Sequence, residues 1–366
     1  MRCFKRLEAF KNTYKCLKTA QHAQSNVLAV TLNDHYRNSN RQTNQVHSTS
    51  IRDYSPFWLQ QQSFWLHKFF ESVALLYQQK QKNMNIVLTG SLGNISKPLA
   101  TALIAKGHSV TIISSNPKKQ KEIETIGAKA AIGSIEDINF LTTTFAETDA
   151  VYCMIPFNFR EEDQVGYFKR IETNYVQAIK QNEIEKVLFL TGWAANVENS
   201  PILNQLSDRT VIELRPGSFY TNFYNDIKTI KEYGALMAGY GENDKIAFVS
   251  PNDIAKAAFE ELTTPFKGKK VRYVASEELT CNEAAKILGE AIGKPDLKWI
   301  TLSEEQLLNG LIQSGFPHQL AHNFVKMQME THSGKTFENY LKNRPVLGKT
   351  KLKDFAKEFA AVYHQE

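Results

Sequence analysis

The stretch NIVLTGSLGNISKPLATALIAKGHSVTII, residues 85–113, decides the fold class. It opens with a short apolar run, Asn85–Thr89, which is typical of a buried parallel strand. A glycine turn follows at Gly90-Ser91-Leu92-Gly93, and a helix is predicted over Ile95–Lys106. A second apolar run, Ser109–Ile113, completes a strand–helix–strand unit. Such a unit forms through a right-handed crossover within a parallel sheet.

The same alternation continues along the chain. Further strands are predicted at Ala128–Ile132, Ala150–Ile155, Val187–Thr191 and Thr210–Leu214, and further helices at Pro117–Ile126, Glu136–Ala146 and Asp163–Asn182. This order predicts the α/β class, with a Rossmann-type doubly wound parallel sheet over residues 84–250. Residues 251–366 are predicted to form a small, mainly helical C-terminal domain, in which residues 251–264 pack back on the sheet.

Capping signals and apolar runs give the elements of that second region. Helices are predicted at Pro251–Leu262, Thr280–Ile292, Ser303–Gln313, Pro317–Glu330 and Leu352–Tyr363, and strands at Val271–Ala275 and Leu297–Thr301. Thr280 with Glu283, and Ser303 with Gln306, match the capping-box spacing.

Residues 1–83 differ from the rest of the chain. They contain no glycine, ten glutamines and a cluster of aromatic residues. Three interpretations stay open: a start codon assigned too early, with Met84 as the true start; a presequence at Met1–Lys18; or an appendage with a helix at Phe57–Tyr77. Organellar import would follow only from the second.

Charge and composition exclude several classes of protein. Residues 1–83 hold 12 Lys and Arg against 4 Asp and Glu, whereas residues 84–366 hold 32 against 34, so charge does not support a nucleic-acid surface on the main body. No apolar run approaches the ~20 residues that span a bilayer, so no membrane association is expected. The four cysteines lack metal-ligand spacing, which fits a reducing, cytoplasmic compartment and no metal site.

The glycine turn points to a bound dinucleotide. A turn placed between a first strand and a helix brings a pyrophosphate onto the helix N-terminus, where free N–H groups face the anion. Ser96 replaces the third glycine of the usual pattern. The residues that end the second strand, Ser114, Ser115 and Asn116, include no acid, and Lys118 and Lys119 follow. A 2′-phosphate would meet no repulsion there, which favours NADP(H) over NAD(H).

Several segments together resemble the NmrA-like family of atypical short-chain dehydrogenase/reductases. They are TGSLGNISKPLATALIAKGHSV, DAVYCMIPFN, KVLFLTGWAA, IELRPGSFYTNF and VSPNDIAKAA, and the resemblance extends over residues 84–366. It implies an extended Rossmann fold that binds NAD(P), with a C-terminal domain closing a substrate cleft. Members of this family include NADPH-dependent quinone or dye reductases and catalytically silent proteins that sense the redox state of the cofactor.

By position, the resemblance implies a set of cofactor-binding residues. The phosphate turn would be Thr89, Gly90, Ser91, Leu92, Gly93, Asn94 and Ile95, and the ribose would meet Ser114, Ser115, Asn116 and Lys118. Met154, Ile155 and Pro156 would line the cofactor, Thr191, Gly192 and Trp193 would lie beside the nicotinamide, and Pro216, Gly217 and Phe219 would close over it.

The sequence departs from the family in two places. Ser134 stands where an acid often follows the third strand, which leaves one adenine contact in doubt, and the Tyr-x-x-x-Lys pair of ordinary dehydrogenases is missing between Thr191 and Arg215. Tyr224 and Lys228 have that spacing but follow the sixth strand, so Tyr224 is only a weak catalytic candidate. Aromatic residues are candidates for an apolar substrate slot, namely Phe157, Trp193, Phe219, Tyr220 and Tyr224.

Three functions therefore stay open. The first is an NADPH-dependent reductase of a quinone-like small molecule, which needs apposition more than a protein acid. The second is a silent redox sensor that binds NAD(P) and acts on a protein partner. The third is a carbonyl reductase in which Tyr224 supplies the proton.

Overall fold

The computed structural model describes residues 83–159, 161–193 and 201–365. The strands are β1 (Asn85–Leu88), β2 (Ser109–Ser114), β3 (Lys129–Ile132), β4 (Ala150–Cys153), β5 (Lys186–Leu190), β6 (Thr210–Pro216), β7 (Ser218–Phe219), β8 (Ala235–Ala238), β9 (Lys245–Val249), β10 (Lys269–Val274), β11 (Glu277–Thr280) and β12 (Lys298–Thr301). The interpretations of residues 1–82 fall outside the described residues.

The helices alternate with the strands in the first half of the chain and dominate the second. They are α1 (Ser96–Ala105), α2 (Gln120–Thr125), α3 (Ile138–Thr144), α4 (Gln164–Gln181), α5 (Pro201–Gln205), α6 (Ile227–Tyr233), α7 (Pro251–Thr263), α8 (Cys281–Ala291), α9 (Glu304–Gln313), α10 (His318–His332), α11 (Glu338–Lys342) and α12 (Leu352–Gln365). No helix among the described residues is long and apolar enough to cross a membrane.

The main sheet has seven strands in the order β10-β6-β5-β4-β1-β2-β3, and every neighbouring pair is parallel. The predicted Rossmann-type α/β fold is confirmed. Strand order reverses between β1 and β4, which makes their carboxyl ends the topological switch point where ligands bind in such sheets. In sheets of this order a bound dinucleotide crosses this edge, with one half over the first three strands and the other over the next three.

Alternating apolar side chains of the strands bury both faces of the sheet. On one face Ile86, Leu88 and Ile212 pack against α1 and α7, through residues such as Leu99 and Ile254. On the other face Val87, Val151 and Val187 pack against α3 and α4. Strands buried on both faces read as continuous apolar runs, which is why their positions could be predicted from the sequence.

The sheet extends beyond residue 250, where the sequence analysis ended it. Helix α7 packs on the sheet face as expected, and β10 then pairs with β6 from Lys269↔Val211 to Val274↔Pro216. The predicted strand at Val271–Ala275 is therefore an edge strand of the nucleotide-binding sheet. The remaining C-terminal region has a separate apolar core, together with the small sheets β11-β9-β7 and β12-β8. Both predicted capping boxes are present.

Lys186, at the start of β5, ties the sheet to α7. Its Nζ donates hydrogen bonds to the carbonyl oxygens of Glu261 at 3.0 Å, Leu262 at 2.8 Å and Thr264 at 2.8 Å. The last carbonyls of a helix have no partner within the helix, so this one ammonium group caps the end of α7. Burial lowers the pKa of Lys186.

Replacing Lys186 tests this cap. Lys186→Met keeps the apolar stem and removes the donors, so we expect the free energy of unfolding to fall by about 1–3 kcal/mol in urea denaturation. Lys256→Met, at an exposed position of α7, is the matched control and should stay within about 0.5 kcal/mol of the parent. Equal losses in the two variants would contradict the capping role.

Candidate functional site

The turn after β1 has the backbone geometry of a phosphate cradle. Gly90 has a φ of +87° and Ser91 a φ of +55°, both in the left-handed region. A Cβ on Gly90 would lie 3.0 Å from both the Met154 Cγ and the Ser96 Oγ, so a side chain there would be strained and crowded. The turn is thus held close to the end of β4 and to the first residue of α1.

The opening of α1 offers backbone donors. The amides of Leu92, Asn94 and Ile95 have no acceptor within the described part of the chain. A Cβ on Gly93 would lie 3.1 Å from the Gly90 carbonyl oxygen, so the space beside these amides depends on the glycine. A narrow cradle with unpaired N–H groups fits a pyrophosphate. The Asn94 amide can also donate a hydrogen bond to water.

Ser96 occupies the place of the third glycine without loosening the packing. Its side chain is buried, and its hydroxyl donates a 2.8 Å hydrogen bond to the carbonyl oxygen of Thr89. The serine therefore joins the start of α1 to the end of β1. A glycine would leave that carbonyl without this donor.

Thr89 fixes the loop that follows β4. Its Oγ1 accepts from the Met154 amide at 2.8 Å and donates to the Met154 carbonyl at 3.2 Å. Tyr175 of α4 donates its hydroxyl to the same carbonyl at 2.8 Å. Met154 and Ile155 are half-buried, and Pro156 is exposed at the same edge. The turn and the predicted lining residues of β4 thus lie together.

The end of β2 lies beside the turn and carries no carboxylate. Ser91 donates to the Ser114 Oγ at 2.9 Å, and this oxygen also accepts from the Asn116 amide at 3.2 Å. The Asn116 side chain caps the short 3₁₀ helix Pro117–Lys119 by accepting from the Lys118 amide. Ser115 is exposed here.

The two lysines after β2 differ in their partners. Lys119 lies 2.8 Å from Glu122 and so does not offer a free charge. The hydrogen bond from Lys119, and to a smaller extent the one from Lys97, lowers the pKa of Glu122. The exposed Lys118 makes no ion pair with any described residue, which leaves it as the available cation at this end of the edge.

The ends of β5 and β6 form a second group of predicted residues. The Thr191 amide donates to the Leu214 carbonyl at 3.0 Å, and the Trp193 amide donates to the Pro216 carbonyl at 3.0 Å. The ladder between the two strands therefore continues past Leu190. Around Gly192 there is open space, because a Cβ there would meet nothing within 4 Å. Trp193 packs on Phe337, with ring centroids 3.9 Å apart.

Beneath Thr191 lies a buried ion pair that the sequence analysis missed. Glu213 and Arg215 have no exposed surface, and Arg215 donates from Nε to Glu213 Oε1 at 2.8 Å. The Thr191 hydroxyl donates to the same Oε1 at 2.8 Å. The sequence did contain a signal for this pair. The mostly apolar strand TVIELRP has two charged residues at alternate positions, and alternate residues of a strand lie on the same face of the sheet.

Glu172 of α4 adds a second carboxyl near this pair. Burial, and then the charge of Glu213, raise the pKa of Glu172 to about 7. Its Oε2 is buried without a hydrogen-bond partner, and so is the Oε2 of Glu213. The group therefore holds its proton into the neutral range.

Gly217 is needed for close packing of two backbone segments rather than for space beside a ligand. A Cβ there would overlap the Ala247 carbonyl of β9, so the glycine is needed for the close approach of two chain segments. Phe219 is half-buried, packs against the apolar core that contains α1 and α7, and pairs with Val249.

Placing Tyr220 in a substrate slot is wrong. The side chain is fully buried, its ring stacks between Phe248 and Phe355, and its hydroxyl donates to Glu277 at 3.1 Å and to the Thr350 carbonyl at 3.2 Å. It belongs to the C-terminal core, because both its ring and its hydroxyl already have partners there.

Tyr224 and Lys228 do not form a catalytic pair. The Tyr224 ring packs on Phe355 and Phe359 of α12, and burial raises its pKa, with a contribution from Glu358. The Lys228 side chain is 82% exposed and lies 3.7 Å from Glu232. A catalytic lysine would lower the pKa of the tyrosine, whereas burial at this position raises it.

Phe157 belongs to an aromatic cluster that sequence reasoning did not find. Its ring lies 4.8 Å from Phe159, 6.2 Å from Phe168 and 5.4 Å from Phe324 of α10, while Phe316 contacts both Phe159 and Phe324. Phe157 is 38% exposed and Phe159 60% exposed. Because Phe316 and Phe324 come from a distant part of the chain, no local pattern could have predicted the cluster.

The predicted site residues thus fall into two linked groups at one edge of the sheet. Thr89, the glycine turn, the end of β2 and Met154 form the first, and Thr191, Trp193 and Pro216 form the second. Within the described residues, no three His, Cys, Asp or Glu side chains lie together in a way that could hold a metal ion.

Comparison with solved structures shows the same fold in known proteins. The NADPH-dependent quinone oxidoreductase of Escherichia coli, solved with NADPH, is 20% identical at a TM-score of 0.63, covering 75% of this chain and 99% of that one. Triphenylmethane reductase of Citrobacter sp., solved with NADP(H), is 20% identical at a TM-score of 0.60, with 75% and 99% covered. A nucleoside-diphosphate-sugar epimerase of Staphylococcus aureus is 21% identical at 0.57, with 75% and 100% covered.

The sequence itself matches one family model. No protein of curated function matches the chain. The model of a family described as NAD(P)H-binding matches residues 90–215, from the first glycine of the turn to Arg215 in β6. This span begins at the glycine turn after β1 and contains strands β2 to β5 together with β6 up to Arg215. Residues 90–215 are therefore similar to an NAD(P)H-binding domain.

Proposed function

We propose that the protein is an NADPH-dependent reductase of a quinone-like or other flat electrophilic small molecule. The observation that carries this proposal is the combination of a dinucleotide cradle with half-exposed aromatic side chains, Phe157 and Trp193, and no tyrosine–lysine pair. When bound, NADPH supplies a hydride. The residues of this chain then have to orient two flat rings and exclude water between them.

A quinone suits such a site because its reduction does not require a protein acid. The oxyanion formed by hydride addition is stabilised by the aromatic ring of the product, and water can protonate it. Catalysis then rests on apposition, which well-oriented groups can provide without acid–base chemistry. The names of two structures with the same fold, a quinone oxidoreductase and a dye reductase, support this substrate class.

We also propose a preference for NADP(H) over NAD(H). The end of β2 presents the Ser114 hydroxyl and the Asn116 side chain in place of a carboxylate, so a 2′-phosphate meets no like charge. Lys118 is the cation available to it.

Gly93→Asp tests cofactor binding at the cradle. The new side chain would add a negative charge and a Cβ 3.1 Å from the Gly90 carbonyl oxygen, so we expect NADPH affinity to fall by about 100-fold or more in a fluorescence titration. Gly310→Asp adds the same side chain in α9, where a Cβ meets nothing within 4 Å, and should bind normally. Unchanged binding by Gly93→Asp would remove the cofactor assignment.

Lys118→Ala tests the cofactor preference. We expect NADPH affinity to fall about fivefold, which is the contribution of one exposed ion pair to binding, while NADH affinity stays the same. Lys121→Ala, at another exposed position just after Lys118, is the control. Equal losses for both cofactors, or none, would contradict the preference for NADP(H).

Turnover with a panel of quinones separates the three candidate functions. For a quinone-type reductase, Trp193→Ala should lower kcat/KM about 100-fold, whereas Trp193→Phe should retain most activity because an aromatic surface remains. Tyr224→Phe should change the rate only a few-fold.

Two other outcomes would redirect the assignment. A loss of about 100-fold or more in Tyr224→Phe, with normal NADPH binding, would favour the carbonyl reductase. No turnover of any acceptor, together with different affinities for NADPH and NADP⁺, would favour a redox sensor that acts through a protein partner.

A further inference from the structure

The buried pair Glu213–Arg215 needs an explanation beyond stability. Both side chains have no exposed surface. A buried ion pair is rarely more stabilising than apolar residues of the same volume, because both charges lose their hydration. In this sheet the pair lies at the carboxyl end of β6, next to the residue that follows β5.

Three donors converge on one oxygen of Glu213. The Thr191 hydroxyl, the Arg215 Nε and the Arg215 Nη2 each lie 2.8 Å from Oε1. A threonine hydroxyl has one proton and two lone pairs. Since the proton of Thr191 is directed to a charged carboxylate, which forms strong hydrogen bonds, the hydroxyl can offer any other neighbour only its lone pairs.

Charged and polar groups surround the Glu213 carboxylate. Arg215 pairs with it directly, and Arg215 in turn donates to the Tyr273 hydroxyl of β10 at 3.3 Å. Glu172 approaches from α4, and burial followed by the charge of Glu213 raises the pKa of Glu172 to about 7. Paired with Arg215, the carboxylate is the acceptor for the Thr191 hydroxyl.

Thr191 stands where the second half of a dinucleotide would lie. It follows β5 at the carboxyl edge of the sheet, and the residue is half-buried. In a sheet of this order the nicotinamide half crosses β4–β6. The polar substituent of a nicotinamide is a carboxamide, which carries N–H donors that need an acceptor.

We propose that Glu213 and Arg215 fix the Thr191 hydroxyl as a hydrogen-bond acceptor, which receives an N–H of the nicotinamide carboxamide. Thr191 then binds the cofactor, and Glu213 is a positioning residue that acts through it. The inference rests on the proposed function in one respect, the binding of a nicotinamide cofactor at this edge.

A cofactor analogue tests the proposal without relying on turnover. In reduced 3-acetylpyridine adenine dinucleotide phosphate, a methyl group replaces the carboxamide nitrogen, so the N–H donor is lost. The affinities of NADPH and of this analogue are measured by fluorescence titration for the parent, Thr191→Val and Thr191→Ser. The ratio of the two affinities is the readout.

We expect Thr191→Val to weaken NADPH about three- to tenfold, the worth of one hydrogen bond, and to leave the analogue within about twofold. Thr191→Ser keeps the hydroxyl and should preserve the ratio. If Thr191→Val weakens both cofactors equally, or neither, the proposal is overturned. A parent protein that binds neither cofactor would overturn the proposed function as well, so the two failures can be told apart.

Glu213→Leu tests the positioning role. Leucine cannot accept the Thr191 proton, so the freed hydroxyl can donate to the acetyl oxygen of the analogue. The discrimination between NADPH and the analogue should therefore fall as in Thr191→Val. A purely structural role would weaken both cofactors alike and leave the ratio unchanged. Glu172→Gln, which mimics the protonated carboxyl, should keep the parent ratio. If Glu213→Leu does not fold, as judged by thermal melting, the two Thr191 variants still decide the proposal.

Discussion

The close approach of Gly90 to Met154 and Ser96 is the constraint on which the site depends. A Cβ added to Gly90 would lie 3.0 Å from both the Met154 Cγ and the Ser96 Oγ, so the turn after β1 packs tightly against the end of β4 and the start of α1. Thr89 and Tyr175 then hold Met154 by hydrogen bonds, and Ser96 holds α1. The cradle, the switch point and the start of the first helix are therefore one rigid assembly rather than three loops.

Farther along the sheet, buried polar side chains rather than close backbone packing connect the strands. β6 carries Glu213 and Arg215 in a core that is otherwise apolar, and their hydrogen bonds reach Thr191 on one side and Tyr273 on the other. Three adjacent strands, β5, β6 and β10, are thus joined by side chains as well as by backbone. Burial makes each of these contacts more costly to break than it would be at the surface.

Sequence reasoning could locate the elements whose local pattern is strong. The apolar runs around Ile86, Val110 and Val187 predicted the central strands to within a residue or two, and the glycine turn predicted the cradle. It failed where the decisive partner is distant in the chain. Short strands such as β8 are defined by pairing with β12, about 60 residues later. Tyr220 was assigned to a slot because its partners Glu277 and Thr350 cannot be anticipated from the letters around it.

The return of the chain to the main sheet at α7 and β10 has a mechanical consequence. Three connections, between β6 and β7, between β9 and α7, and between β10 and β11, join the sheet to the C-terminal region. A region attached by one linker can change its orientation freely. A region attached at three places can move only by bending all three connections. Any shift of the C-terminal region against the sheet must therefore bend all three connections together, so its amplitude is governed by their combined stiffness rather than by a single hinge.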